Sequence, residues 1–224
     1  MLQANSMNRN GLLYGKIGVT ISFFEYGRYR NNLVYTDYAK ELKDSLLKKI
    51  DGKTPLDFAT GLCGFGWGIE YMVQQMFVSS NANEICADID QKVMAMDIRR
   101  MNDFTLETGL EGFLHYILIR LKGINNVHPS ACPSVLPFDD DYLKDVHNKL
   151  QTLTEEAISS NLKQAFISYM DTGLLNYEPD IRLFASNLDL KNEEDILSAK
   201  LGLSDGLAGN LITISKPSLN SLSS

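Results

Sequence analysis

Eight residues sit beside recurring glycine-leucine turns and carry side chains that could do chemistry: Tyr14, Cys63, Trp67, Glu70, Glu111, His115, Ser204 and Asp205. Cys63 and His115 offer a thiol and an imidazole, donors that zinc accepts. Two ligands fall short of the three a catalytic zinc takes, and only Cys132 or Glu111 remains to complete a set. Glu70, Glu111 and Asp205 offer carboxylates, which act as general acid and base across a sugar when a pair lies within about 10 Å, with Trp67 free to stack on the ring. Trp67, Tyr71, Tyr14 and Glu70 together would make an acidic, aromatic-lined cavity able to hold a peptide. Acidic residues at helix starts also serve as caps or dipole partners, and any of the eight could instead pack a filled centre.

The turns that place these residues repeat. Gly61-Leu62-Cys63-Gly64-Phe65 recurs as Gly109-Leu110-Glu111-Gly112-Phe113, 48 residues later. Gly11-Leu12 precedes the first of these by 50 residues, and GLSDGLAG from Gly202 repeats the GLxxGxxG spacing of GLLYGKIG from Gly11. A unit expected near residue 157 has lost its glycines, since AISSNLKQAFISYM contains none. A period of this length signals stacked supersecondary units.

Each unit reads as a helical hairpin. Behind the turns, apolar residues fall at helical spacing: Leu13, Ile17, Ile21 and Phe24, then Phe65, Ile69, Met72 and Met76, then Leu110, Leu114, Ile117 and Leu121. Further apolar residues off these stripes, such as Phe23, Val73, Phe77 and Ile119, predict inner helices buried on more than one side. Between them lie amphipathic outer segments. One runs through Tyr35, Leu42, Leu46 and Ile50, with Thr36 or Asp37 as its cap and Lys48, Lys49 and Gly52 at its end; the next runs through Ile85, Ile89, Val93 and Met96, capped by Asn83. Pro129, Pro133 and Pro137 predict a loop over residues 123 to 140, before a helix opened by Asp139 to Asp141. No stretch alternates with period two, so the expected fold is all-α.

Inner and outer helices alternating at a constant period make an open solenoid or a closed α/α toroid. Glycine heading the inner helices favours the toroid, because turns crowd near a common axis. The expected architecture is a single domain over residues 1 to 224, a partial or reduced ring of about five hairpins, with the tail from residue 216 frayed.

These glycine turns, and GLSDGLAGN with its Gly206, Ala208, Gly209 and Asn210, resemble the lanthionine synthetase C-like family. The resemblance implies an α/α toroid and a zinc that acidifies a peptide cysteine, so that its thiolate adds to a dehydrated Ser or Thr. It also implies a Cys and a His in the last turn and a Cys in the preceding hairpin as ligands. Here Ser204 stands at the Cys position and Asp205 at the His position, and the preceding unit has no cysteine. A hydroxyl and one carboxylate do not replace a thiolate and an imidazole. The expectation is therefore a protein with no metal and no cofactor, an accessory that binds a peptide or partner protein during peptide maturation or export. A cyclase with a relocated zinc and a carbohydrate-active α/α barrel are the alternatives.

Composition narrows the classes further. A formal charge of −7 and a pI near 5 argue against nucleic-acid binding, which needs clustered cations, and suit a cationic peptide. No apolar run approaches membrane-spanning length, and MLQANSMNRN lacks the apolar core of a secretory signal, so the expectation is a cytoplasmic chain without membrane insertion. Cys63, Cys86 and Cys132 fit no disulfide framework and read as reduced thiols. No glycine turn carries the Lys-Ser/Thr of a phosphate loop, and Asp139 to Asp141 lacks the spaced ligands of a calcium loop. His128 and His147 are expected to be solvated.

Overall fold

The computed structural model describes residues 4, 7–47, 54–125, 136–154 and 156–216. Among them are nine α-helices, two short 3-10 segments and no strand. The helices are α1 (Lys16–Arg30), α2 (Leu33–Leu47), α3 (Leu62–Gln74), α4 (Ala82–Met94), α5 (Leu110–Asn125), α6 (Asp140–Thr152), α7 (Ser160–Thr172), α8 (Glu193–Ser198) and α9 (Leu207–Ser215). Two compact units account for the chain: Met1–Pro55, Ala59–Gly61 and Asp180–Ser224 form the first, and Leu56–Phe58 with Leu62–Pro179 the second.

In the first unit α1 is the central helix. Ten of its fifteen residues are buried, including Ile17, Ile21 and Phe24 of the predicted stripe. Its interior hydroxyls are satisfied locally, because Thr20 Oγ1 donates to the Lys16 carbonyl and Ser22 Oγ to the Gly18 carbonyl, each at 2.9 Å. The left-handed Asn31 ends the helix, sending its N–H to the Arg28 carbonyl. α2 then folds back on α1, where Phe23 meets Tyr38 edge-on at 5.0 Å and Tyr26 meets Tyr35 at 4.9 Å. On another side of α1 lies α9, and Val19, Leu42 and Ala208 share one apolar cluster with Leu201.

Backbone hydrogen bonds join the turns of this unit. Gly11 N–H donates to the Thr60 carbonyl at 2.9 Å and Leu13 N–H to the Ala59 carbonyl at 3.0 Å. Leu203 and Ser204 N–H both donate to the Leu13 carbonyl, at 2.9 and 3.0 Å. A Cβ on Gly11 would run into the backbone of Thr60 and Gly61, so close approach of two backbone segments is what glycine permits here.

In the second unit α3 and α5 are enclosed. Every residue of α3 from Leu62 to Met72 is buried, as are Leu110, Leu114, Ile117 and Leu121 of α5. α3 packs on α5 and α4, α5 on α7, and α7 on α6. Outer helices bury one face only: α4 buries Ala82, Cys86, Ile89, Asp90 and Val93, and α6 buries Tyr142, Leu143, Val146 and Leu150. Asp139 Oδ1 caps α6 by accepting from Tyr142 N–H at 2.7 Å, as the sequence predicts.

Several local expectations need correction. α2 begins at Leu33, three residues before the expected cap, and Asn32 Oδ1 accepts from Val34 N–H at 3.0 Å. Asn81, not Asn83, caps α4, its side chain accepting from the N–H groups of Asn83 and Glu84. Met76 lies beyond the end of α3 and is 88% exposed, because a left-handed turn closes the helix before the stripe can continue. α5 extends to Asn125 and so takes the first residues of the expected loop. His147 is half-buried, with Nε2 3.6 Å from Asp171 and 3.4 Å from the Gln151 amide, rather than solvated. Ile50, Lys48, Lys49, Gly52, His128, Pro129, Cys132, Pro133 and the tail from 217 lie outside the described residues.

Candidate functional site

The chemistry-bearing residues divide between the two units. Tyr14, Ser204 and Asp205 belong to the first, and Cys63, Trp67, Glu70, Glu111 and His115 to the second. In the first unit Tyr14 follows Leu13 in the turn before α1, and its N–H donates to the Ala59 carbonyl at 3.2 Å. Ser204 reaches that turn through its backbone, as described above, while Asp205 Oδ2 pairs with Lys200 Nζ at 2.9 Å. This last turn does not fit a zinc: it offers a hydroxyl and a carboxylate already held by an ammonium, and α7 carries no cysteine. Among the described residues no group of three or more His, Cys, Asp or Glu could hold a metal ion.

In the second unit Trp67 and His115 are brought together by a residue the sequence reading missed. Tyr177, in the segment after α7, places its hydroxyl 3.0 Å from Trp67 Nε1, which donates to it, and 3.0 Å from His115 Nδ1. Lys122 Nζ anchors that segment by donating to the Tyr177 carbonyl at 2.7 Å and pairing with Glu178. Trp67 also stacks on Tyr71 at 5.1 Å, and Phe58 lies against both Trp67 and His115. Trp67 and Tyr71 are fully buried, so the aromatic group is packed interior.

Burial sets the protonation states there. It pushes the His115 imidazole down to about 3, which keeps it neutral. The Cys63 thiol is raised well above its ordinary value by burial, then by the charges of Asp57 and Asp90; Cys86 is pushed up to about 12 by burial against the opposing pull of Arg120. Both are free thiols, and neither is a ready thiolate. Glu111 is half-buried at the start of α5, its carboxyl raised by burial and drawn back by the Ser159 N–H.

Glu70 belongs to a second buried group, centred on Arg120. That guanidinium is 1% exposed and sits in the last turns of α5. Its Nη1 donates to Glu70 Oε2 at 2.8 Å and to Asn83 Oδ1 at 3.1 Å, while Nη2 and Nε donate to the two Asp90 oxygens at 2.8 and 3.1 Å. Tyr116 donates its hydroxyl to Asp90 Oδ1 at 2.5 Å, and Gln74 donates to Glu70 Oε1 at 3.2 Å. Burial raises both carboxyls against the opposing charge and hydrogen bonds of Arg120. Glu70 and Asp90 are thus a close carboxylate pair, but the guanidinium fills the gap where a glycosidase would hold its sugar. A charge inside the otherwise apolar run LHYILIRL was the available signal, since such a charge demands buried partners.

Clefts indent the described residues of the second unit. One, of 310 Å³, opens on Asn83, Asp90 and Arg120 and is walled by Met94, Leu136 and Pro137. Another, of 260 Å³, is lined by Asn161, Gln164, Ser168 and Asn176. No described helix is long and apolar enough to cross a membrane. Comparison with protein families, curated proteins and solved structures gave no match to this chain.

Proposed function

We propose that the chain is a short lanthionine synthetase C-like protein, an α/α toroid of about five hairpins, that holds a peptide and does not cyclise it. The observation that carries this reading is the junction of the last glycine turn with the first: the N–H groups of Leu203 and Ser204 donate to the Leu13 carbonyl, and Ser204 and Asp205 stand where the resemblance implies a Cys and a His. A straight array gives its last repeat no reason to meet its first, whereas a ring requires it. Burial of Cys63, Trp67 and His115, with the hydrogen bonds of Trp67 and His115 to Tyr177, weighs against a catalytic role for these three side chains. The charge of −7 favours a cationic peptide.

Trp67 is the single tryptophan and serves as an internal reporter. Protein purified without chelator should contain less than about a tenth of an equivalent of zinc. A lysine-rich dodecapeptide should change Trp67 emission saturably at high-micromolar concentration, and a glutamate-rich one should not. Stoichiometric zinc, or equal indifference to both peptides, would refute the proposal.

A further inference from the structure

In the first unit the hairpin of α1 and α2 ends in a short, braced tip, about 20 Å along α1 from the glycine turn that precedes it. Asn31 and Asn32 turn the chain, sending their N–H groups to the Arg28 and Gly27 carbonyls at 3.2 and 2.9 Å. Gly27 lets α2 come close, since a Cβ there would strike Thr36. Aromatic rings support the tip from behind: Tyr29 lies 6.4 Å from Tyr26, which meets Tyr35 edge-on at 4.9 Å.

Seven consecutive residues of this tip, Arg28 to Val34, are exposed. Three of them are large and apolar: Tyr29 is 53% exposed, Leu33 73% and Val34 62%. Single apolar residues on a surface are ordinary, but three so close in one turn form a patch. Arg28 and Arg30 stand among them, and no acidic residue occurs between Glu25 and Asp37. Those two carboxylates each hold a lysine, Glu25 with Lys216 Nζ at 3.1 Å and Asp37 with Lys40 Nζ at 2.9 Å. The tip therefore carries the charge of two arginines on a chain whose formal charge is −7. Charges more than about 8 Å away are largely screened at physiological ionic strength, so a partner at the tip senses the arginines rather than the total.

Cationic and apolar side chains on one convex turn select the occupant. A protein partner would need an acidic rim and an apolar floor shaped to receive the tip. An anionic bilayer supplies both without a shape requirement, because its head groups attract guanidinium and its acyl boundary accepts aliphatic side chains, with tyrosine favoured at the same depth. We infer that the α1–α2 tip docks on an anionic membrane surface, with Arg28 and Arg30 at the head groups and Tyr29, Leu33 and Val34 in the interfacial layer. Such docking is peripheral and reversible, since two charges and three side chains anchor far less firmly than a spanning helix. It does not rest on the peptide-holding reading.

Co-sedimentation of the full chain with vesicles tests this. Vesicles of phosphatidylcholine containing about a third phosphatidylserine should bind the chain at least about tenfold more tightly than phosphatidylcholine alone. Arg28→Gln with Arg30→Gln, and separately Leu33→Ser with Val34→Ser, should each weaken binding to the anionic vesicles by at least about fivefold. All four positions are exposed, so both double variants should melt with the parent. Asp37→Asn with Lys40→Gln, an exposed pair farther along α2, is the control and should bind as the parent does. Equal binding to both kinds of vesicle, no binding to the anionic ones, or binding that either tip variant leaves unchanged would overturn the inference. Self-association of the parent that Leu33→Ser with Val34→Ser removes, without binding to anionic vesicles, would make the tip an interface between copies and overturn it equally. The change in Trp67 emission expected with the lysine-rich dodecapeptide should persist in both tip variants, so this inference and the peptide-holding reading fail separately.

Discussion

The loss of Arg120 would be costly, because it is the shared partner of two buried carboxylates. Arg120→Met should destabilise the protein by about 3–5 kcal/mol, as breaking a buried ion pair leaves uncompensated charge. Urea denaturation at neutral pH measures this. Adding Glu70→Gln and Asp90→Asn to that variant should recover part of the loss, and a triple variant as unstable as the single one would show that packing, not charge, is what Arg120 supplies. His115 provides a test of opposite character. Its folded-state value of about 3 lies below the ordinary 6.5, so the unfolded chain binds a proton in that interval that the folded chain refuses. Its contribution is therefore complete above pH 6.5 and is lost as pH falls toward 3, with a slope of up to about 1.4 kcal/mol per pH unit. Glu70 and Asp90, raised by burial, pull the other way and lose stability as pH rises through their folded values. Comparing His115→Gln with the parent protein between pH 4 and 7 isolates the histidine. Stability curves of the same slope would contradict its burial as a neutral ring.

At the scale of elements, the end of α3 shows how a backbone conformation can be held at a cost. Met76 N–H donates to the Val73 carbonyl and Phe77 N–H to the Met72 carbonyl, both at 2.9 Å, which is the Schellman closure. That closure puts Met76 at φ 57, a region where a side chain is strained and glycine is not. The side chain is exposed and contributes little packing, so Met76→Gly should raise stability by about 0.5–1 kcal/mol, read as a shift in urea midpoint at constant slope. A lower midpoint would show that Met76 packs more than its exposure suggests. The same element explains what was legible in sequence. Helical period reports which face is buried, and Phe65, Ile69 and Met72 are indeed inside. Period carries no mark of where a helix stops, so Met76 continued the stripe on paper while lying outside the helix. Caps slipped for a related reason: Asn81 and Asn83 are the same residue type two positions apart, and only the backbone decides which one faces the free N–H groups. Tyr177 was invisible because its partners, Trp67 and His115, lie 110 and 62 residues away, with no period to connect them.

For the whole molecule the question is whether the chain behaves as a row or a circuit. In a row of repeats each unit supports only its neighbours, so removing the last leaves the first untouched. Here α9 packs on α1, and Ala208 and Val19 share one cluster although nearly the whole chain separates them. A chain ending at Ala199 should therefore lose amide protection in α1 by at least about tenfold in hydrogen exchange, equivalent to about 1.4 kcal/mol of local stability. Ala208→Asp, which keeps the full length and places a carboxylate in the cluster, should produce the same loss, since burying an unpaired charge is unfavourable and the contact must open. If α1 stays protected in both variants, the contact between first and last helices is passive, and the circuit reading loses its support. If both expose α1, the turn at Leu13 and the turn at Leu203 are coupled sides of one junction within the first unit.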